Sequence, residues 1–284
     1  MTPSKLILVE GVPGSGKTTM AGFVAHWLEQ NGFRSRLYCE GDLDHPADYE
    51  SAAYLTPAEY AAFLQAHPRQ RDQLARYSTM EDGGHFLRYA EMAEAETVPQ
   101  PLIAELARCD VYELDLATHQ RLIRQRWRRF VERAQAGDEV FVFECCFLQN
   151  PLTMTSLKYN RPDSEGLAYV QTIADRIRPL SPILVYLSND EIPATLARVA
   201  RERRPEWREG VGAYTDRGAW AQATGHAGFE GFVAWLEMRQ AVERSYLAQS
   251  GLTHLVVDVT GQDWDAYQRQ VAAFLRSKTI DVSV

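Results

Sequence analysis

Cysteine is scarce in this chain. There are four in 284 residues, Cys39, Cys109, Cys145 and Cys146. No two are spaced Cys-x-x-Cys, so a zinc site is not expected. The adjacent Cys145-Cys146 pair is badly placed to bridge to itself, and reduced thiols in a cytoplasmic protein are expected. No apolar run reaches the ~20 residues that cross a bilayer. The first residues lack a charged stretch followed by a long apolar core, so neither a signal peptide nor a membrane partner is expected. A basic excess is missing too. The net charge is −8, which argues against an extended nucleic-acid surface, and nucleic acid is not an expected partner. Internal repeats and low-complexity tracts are absent. What is present is ordinary for a globular protein: 45% hydrophobic and 24% charged residues, enough to bury a sizeable core.

One stretch stands out. Leu6 to Val9 is an apolar run short enough to be a buried strand. Gly11-Val12-Pro13-Gly14-Ser15-Gly16-Lys17-Thr18 follows and matches G-x-x-x-x-G-K-[ST] at every position. Ala21, Val24, Ala25 and Leu28 then recur at the spacing of one helix face. Strand, loop, helix is the context this motif requires. Each part has a physical task. Glycines let backbone N–H groups turn inward around an anion, and the helix N-terminus adds free N–H groups and partial positive charge. Lys17 can reach the β- and γ-phosphates, and the Thr18 hydroxyl can ligate Mg2+. Gly11, Pro13, Gly14, Ser15, Gly16, Lys17, Thr18 and Thr19 are therefore candidate contacts for a nucleoside triphosphate.

The rest of the chain reads as alternating strands and helices. Asn31-Gly32 stops the first helix. Arg36–Cys39 is a second strand, running into the acidic loop Glu40-Gly41-Asp42-Leu43-Asp44-His45-Pro46. Residues 47–116 show no convincing buried strand and are expected to be a helical insertion, a lid or binding cap. Within it Thr56-Pro57-Ala58-Glu59 reads as a helix start. A helix over about 117–135 buries Ile123, Trp127, Phe130 and Ala134 and carries arginines from 121 to 133. Glu139–Glu144 is a third strand, Pro182–Leu187 a fourth and Thr253–Asp258 a fifth. A glycine-rich stretch over 205–228 is expected to be mobile. The pattern predicts a single α/β domain over 1–284: a three-layer, doubly wound, parallel five-stranded sheet with a helical insertion at 47–116 and a lid at about 198–228.

Two groups of charged residues complete the candidate site. Asp42, Asp44 and Glu144 follow or end strands, and right-handed crossovers would open them on the sheet edge that holds the phosphate loop. Asp42 is the first candidate for the base that takes a proton from an attacking hydroxyl, with Asp44 as its substitute and Glu144 in the metal shell; the roles can be exchanged. Arg198, Arg201 and Arg204 recur at helical spacing and are expected to share a face, where guanidinium groups can bridge the oxygens of a moving phosphoryl group.

This order of parts resembles the P-loop small-molecule kinases, among them nucleoside and nucleotide kinases, shikimate kinase and chloramphenicol phosphotransferase. The resemblance is carried by Gly11–Thr18, by Asp42-Leu43-Asp44, and by the strand Leu184–Leu187 with the arginines that follow it. It implies ATP and Mg2+ as cofactors, a small-molecule hydroxyl as acceptor, lid arginines on the phosphates, and adenine near residues 258–262. Two departures are visible. Glu144 is followed by Cys-Cys where many nucleoside kinases have arginine, and the 47–116 insertion is larger than usual. Two other classes remain in view. One is a nucleotide-dependent switch or regulatory ATP-binding protein, although Asn-Lys-x-Asp and Leu-Ser-Gly-Gly are both absent. The other is a polynucleotide 5′-hydroxyl kinase, motivated by the arginine helix.

Overall fold

The computed structural model describes residues 4–278. The chain divides into two compact units, one made of residues up to Glu40 and from Val131 on, the other of Gly41–Phe130. The strands among the described residues are, in chain order, β1 (Leu6–Gly11), β2 (Ser35–Tyr38), β3 (Ala52–Leu55), β4 (Ser78–Glu81), β5 (Gly84–Arg88), β6 (Val140–Glu144), β7 (Ile183–Ser188) and β8 (Thr253–Asp258).

The first unit is an α/β fold. Its sheet runs β2-β6-β1-β7-β8 with every neighbouring pair parallel. The five strands expected from the sequence are all there, with ends moved by a residue or two. Every residue of β1, β6 and β7 is buried; strands covered on both faces read as continuous apolar runs rather than alternations. On one face Ile7 and Val9 meet Val24 and Leu28 of the helix Lys17–Gln30 and Val271 and Leu275 of the helix Trp264–Lys278. On the other, Tyr186 of β7 reaches the helix Gly228–Gln249, its hydroxyl donating to Glu243 Oε2 at 2.6 Å. Because β1 lies between β6 and β7, its C-terminal end is flanked on both sides, Val9 by Glu144 and Gly11 by Leu187. This centrality places the glycine-rich loop.

The segment expected to be a loose lid is helical: Ile192–Glu202, Pro205–Arg217 and Ala219–Thr224. Trp220 and Ala221 are buried in a cluster with Val12, Leu157 and Leu196. The three arginines do not share one helix face. Arg198 and Arg201 lie on the first of these helices, which ends at Glu202, whereas Arg204 is extended and caps the next. Pro205 is the reason, since its ring drives the preceding residue out of helical backbone.

In the second unit the expectation of an all-helical insertion fails. β3, β5 and β4 form an antiparallel three-stranded sheet in that order. β4 is polar and half-exposed, so it has no apolar run to announce it. The signal was the turn: Asp82 and Gly83 both have positive φ, 53° and 81°, between the paired residues Glu81 and Gly84. Asp-Gly in a two-residue loop is the mark of a hairpin. The helix start at Thr56 is as the sequence predicts. Thr56 and Glu59 form a reciprocal capping box and Pro57 opens the helix Pro57–Ala66. Leu55, Leu74, Leu87, Met92 and Leu106 make a separate core.

The arginine-rich helix is Leu116–Ala136, and Ile123, Trp127, Phe130 and Ala134 are buried as expected. Two of its arginines are engaged within the unit. Arg129 pairs with Glu81 at 2.7 Å and with Asp82, and donates to the Tyr49 hydroxyl at 2.9 Å. Arg126 donates to the carbonyls of His45 and Asp48. These two cations are bound to protein partners and so are withdrawn from a polyanion.

Candidate functional site

The loop between β1 and the helix Lys17–Gln30 is shaped by glycines at which any side chain would be strained. Gly16 caps the helix in the left-handed conformation, φ +85°, and a Cβ there would collide with the indole of Trp264. Gly14, at φ +80°, would place a Cβ 2.5 Å from Val199 Cγ2. The helix that carries Arg198 packs on the loop at that point. No side chain caps the helix start, which leaves its first N–H groups without a side-chain acceptor, as an anion site needs. Ser15 is 2% exposed and its hydroxyl is buried with no partner, a donor suited to an anion held in the loop. Lys17 is buried, with its Nζ turned onto the loop carbonyl of Val12 at 3.3 Å.

Thr18 and Glu144, proposed from sequence as the metal pair, are brought together. The Thr18 hydroxyl donates to Glu144 Oε1 at 2.9 Å. Glu144 closes β6 and is 4% exposed. A hydroxyl beside a carboxylate is an all-oxygen donor set, which fits a hard cation such as Mg2+. A further carboxylate, passed over in the sequence, joins them. Glu40 follows β2, and one oxygen each of Glu40 and Glu144 lies within 4.8 Å of the other and of the Cys145 thiol. Glu40 accepts from Gln149 Nε2 at 2.9 Å and from the Cys145 thiol at 3.3 Å. Its position directly after a strand, in a parallel sheet that binds ligands at strand ends, was the available signal. Burial pushes the Cys145 thiol well above the usual range, with the carboxylates of Glu40, Glu10 and Glu144 adding to it against Lys17. None of the four cysteines is in a disulfide.

No protein-family model matches this sequence, and no curated protein does. Function therefore rests on chemistry.

Beneath the loop lies a buried ionic network that sequence reading also missed. Glu10 accepts from the N–H groups of Phe147 and Leu148 at 2.7 and 2.9 Å and of Gln149 at 3.2 Å. It thereby fixes the turn that carries Cys145 and Gln149. Burial nevertheless pushes its carboxyl up to about 7, with Glu243 adding to the effect. Arg239 lies 3.1 Å from Glu243 and donates to the Gly11 carbonyl at 3.3 Å.

A cavity of about 240 Å³ adjoins the loop, lined by Gly14, Ser15, Gly16, Thr19, Asn189, Thr195, Arg198, Val259, Gln262 and Trp264. It joins the loop to the segment after β8, which the resemblance assigned to a base. Both ends of the Asn189 amide are engaged, by Thr195 and by the Glu191 N–H, whereas Gln262 is exposed. Arg198 lines this cavity and pairs with Glu202 at 3.3 Å; Arg201 and Arg204 are exposed. Asp42 and Asp44 belong to the second unit, half-buried and exposed respectively. There Asp44 lines a cavity of about 360 Å³ with Asp48, Tyr49, Phe86 and Arg126. Asp42 does not line it. No helix among the described residues is long and apolar enough to cross a membrane.

Proposed function

We infer that this chain is a P-loop NTPase of the small-molecule kinase kind, transferring the γ-phosphate of ATP to a hydroxyl of a small molecule. The observation that carries the reading is the Thr18–Glu144 pair at the foot of a full phosphate-loop motif. It couples the loop's hydroxyl to a strand-end carboxylate, the arrangement a magnesium nucleotide needs. When bound, Mg2+ would supply charge neutralisation on the phosphates, held through Thr18 and Glu144.

The chain's own groups account for the remaining chemistry. Lys17 leaves the Val12 carbonyl for the phosphates, and the loop N–H groups with the Ser15 hydroxyl hold them. Trp264 and Gln262 face the base. Arg198 stands at the rim of the same cavity, where it would meet charge building on the phosphoryl group. The acceptor oxygen attacks the γ-phosphorus, the bond to the β,γ-bridging oxygen breaks, and ADP leaves. The hydroxyl proton passes to a carboxylate. We assign that role to Glu40, because it lies in the unit that holds the loop, ahead of Asp42 and Asp44.

Calorimetry with magnesium ATP tests the donor site: binding is expected for the natural chain and lost in Lys17→Ala. A coupled ADP assay over a panel of sugars, nucleosides and amino alcohols tests transfer. Robust hydrolysis that no acceptor stimulates would reject the kinase in favour of a nucleotide-dependent switch. Absence of any nucleotide binding by well-folded protein would reject both.

A further inference from the structure

Cysteine spacing argues against a zinc site, yet folding collects donors that are distant in sequence. Glu40, Glu144 and Cys145 each offer one atom, all within 4.8 Å of one another. The Cys145 Sγ to Glu40 Oε2 edge is already 3.3 Å. With metal–ligand bonds of about 2.0–2.3 Å, the edges of a tetrahedral zinc site are ~3.3–3.8 Å, so closing this cluster takes at most ~1.5 Å along any edge. Glu40 is exposed and gives the way in, while Glu144 and Cys145 are buried.

An independent observation points to a ligand here. Gln149 is 7% exposed, and its Nε2 holds Glu40 at 2.9 Å. The Oε1 of that same amide is buried with no hydrogen-bond partner. Zinc sites with three protein ligands keep a water in the fourth position, and outer-shell acceptors orient such groups. A metal-bound water at this cluster would supply the hydrogen that Gln149 Oε1 lacks.

We propose that Glu40, Glu144 and Cys145 form a binding site for a thiophilic divalent cation, Zn2+ in particular, with Gln149 Oε1 accepting from its bound water. The thiolate makes the distinction from Mg2+, a hard cation that stays with oxygen donors. On binding, the S–H bond breaks, its proton goes to solvent, and a Zn–S bond forms without change of oxidation state. The consequence for activity rests on the proposed function: zinc engages the carboxylate that Thr18 needs, so it opposes binding of the magnesium nucleotide.

The test titrates Zn2+ alone into the full chain against a chromophoric chelator, with Co2+ as a spectroscopic substitute. One equivalent is expected to bind the natural chain, and the cobalt form to show a thiolate-to-metal charge-transfer band. Cys145→Ser, checked for folding by circular dichroism, should weaken zinc at least about 100-fold and remove the band. Glu40→Gln, which keeps the thiol, should weaken it about 10-fold or more. Cys39→Ser and Cys146→Ser should change neither. No stoichiometric zinc on the natural chain, or an undiminished band in Cys145→Ser, overturns the proposal. Zinc should also weaken magnesium ATP binding at least about 10-fold in the natural chain and leave Cys145→Ser unaffected; equal weakening in both overturns the inhibitory role. Zinc binding by a chain that takes no nucleotide would support the metal site and refute the nucleotide reading alone.

Discussion

Glu10 provides the sharpest test of the buried network under the phosphate loop. It sits one residue before Gly11, 1% exposed, with three backbone N–H groups directed at its carboxylate. Those donors favour the charged form, but burial outweighs them, and the proximity of Glu243 acts in the same direction. The carboxyl rises from 4.5 to about 7. A raised carboxyl pKa means that the fold prefers the protonated group. The associated stability is fully present below pH 4.5 and is lost as pH climbs through about 7. At 1.36 kcal/mol per pH unit, the loss is about 3 kcal/mol.

Glu10→Gln isolates it. The amide is neutral at every pH, and it also turns an N–H₂ toward the Gln149 N–H, which adds a penalty independent of pH. Stability measured by urea unfolding, followed by circular dichroism at pH 4.5, 6 and 8, gives the difference between natural chain and variant. That difference should move by about 3 kcal/mol toward the variant between pH 4.5 and 8. Other titrations cancel in the comparison. They include His45, which burial and the charge of Arg126 push down to about 3, and Asp110, which burial pushes up to about 6. A difference that stays flat from pH 4.5 to 8 refutes the reasoning, because Glu10 would then be equally ionised in folded and unfolded chains.

Three further outcomes are expected. Gly16→Ala must adopt φ +85° and meet Trp264, costing about 2–4 kcal/mol in urea unfolding, and Trp264→Leu added to it should recover the packing share; a double variant no better than the single one shows that the collision is not the cause. Thr18→Val should weaken magnesium-dependent nucleotide binding about 10-fold or more in calorimetry while sparing binding in chelator, since only the Thr18–Glu144 oxygen pair is lost; equal losses under both conditions count against the metal role. Phe86, 2% exposed and stacked on Tyr49 with ring centroids 4.4 Å apart, should cost about 3–5 kcal/mol as Phe86→Ala, read as earlier unfolding of the second unit by hydrogen exchange; unchanged protection at β3 and β5 would contradict a packing role for this ring pair.

The sequence by itself determined whatever depends on neighbours along the chain. The five apolar strands, the glycine loop, the Asn31-Gly32 stop and the Thr56–Glu59 capping box are local patterns, and local sterics and hydrogen bonding decide them. The reading broke down where partners are remote. β4 is too polar to announce itself and exists because β5 pairs with it across Asp82-Gly83. Arg204 leaves the expected face because Pro205 breaks the helix, which a stricter local reading would have caught. Only tertiary structure could bring Thr18 to Glu144, 126 residues away, or Glu40 to Cys145, 105 residues away. Parallel strand order performs that assembly: β6 lies between β2 and β1, so residues that end three separated strands share one edge. No pattern along a single chain segment encodes which strand lies beside which; burial of both faces of the sheet decides it.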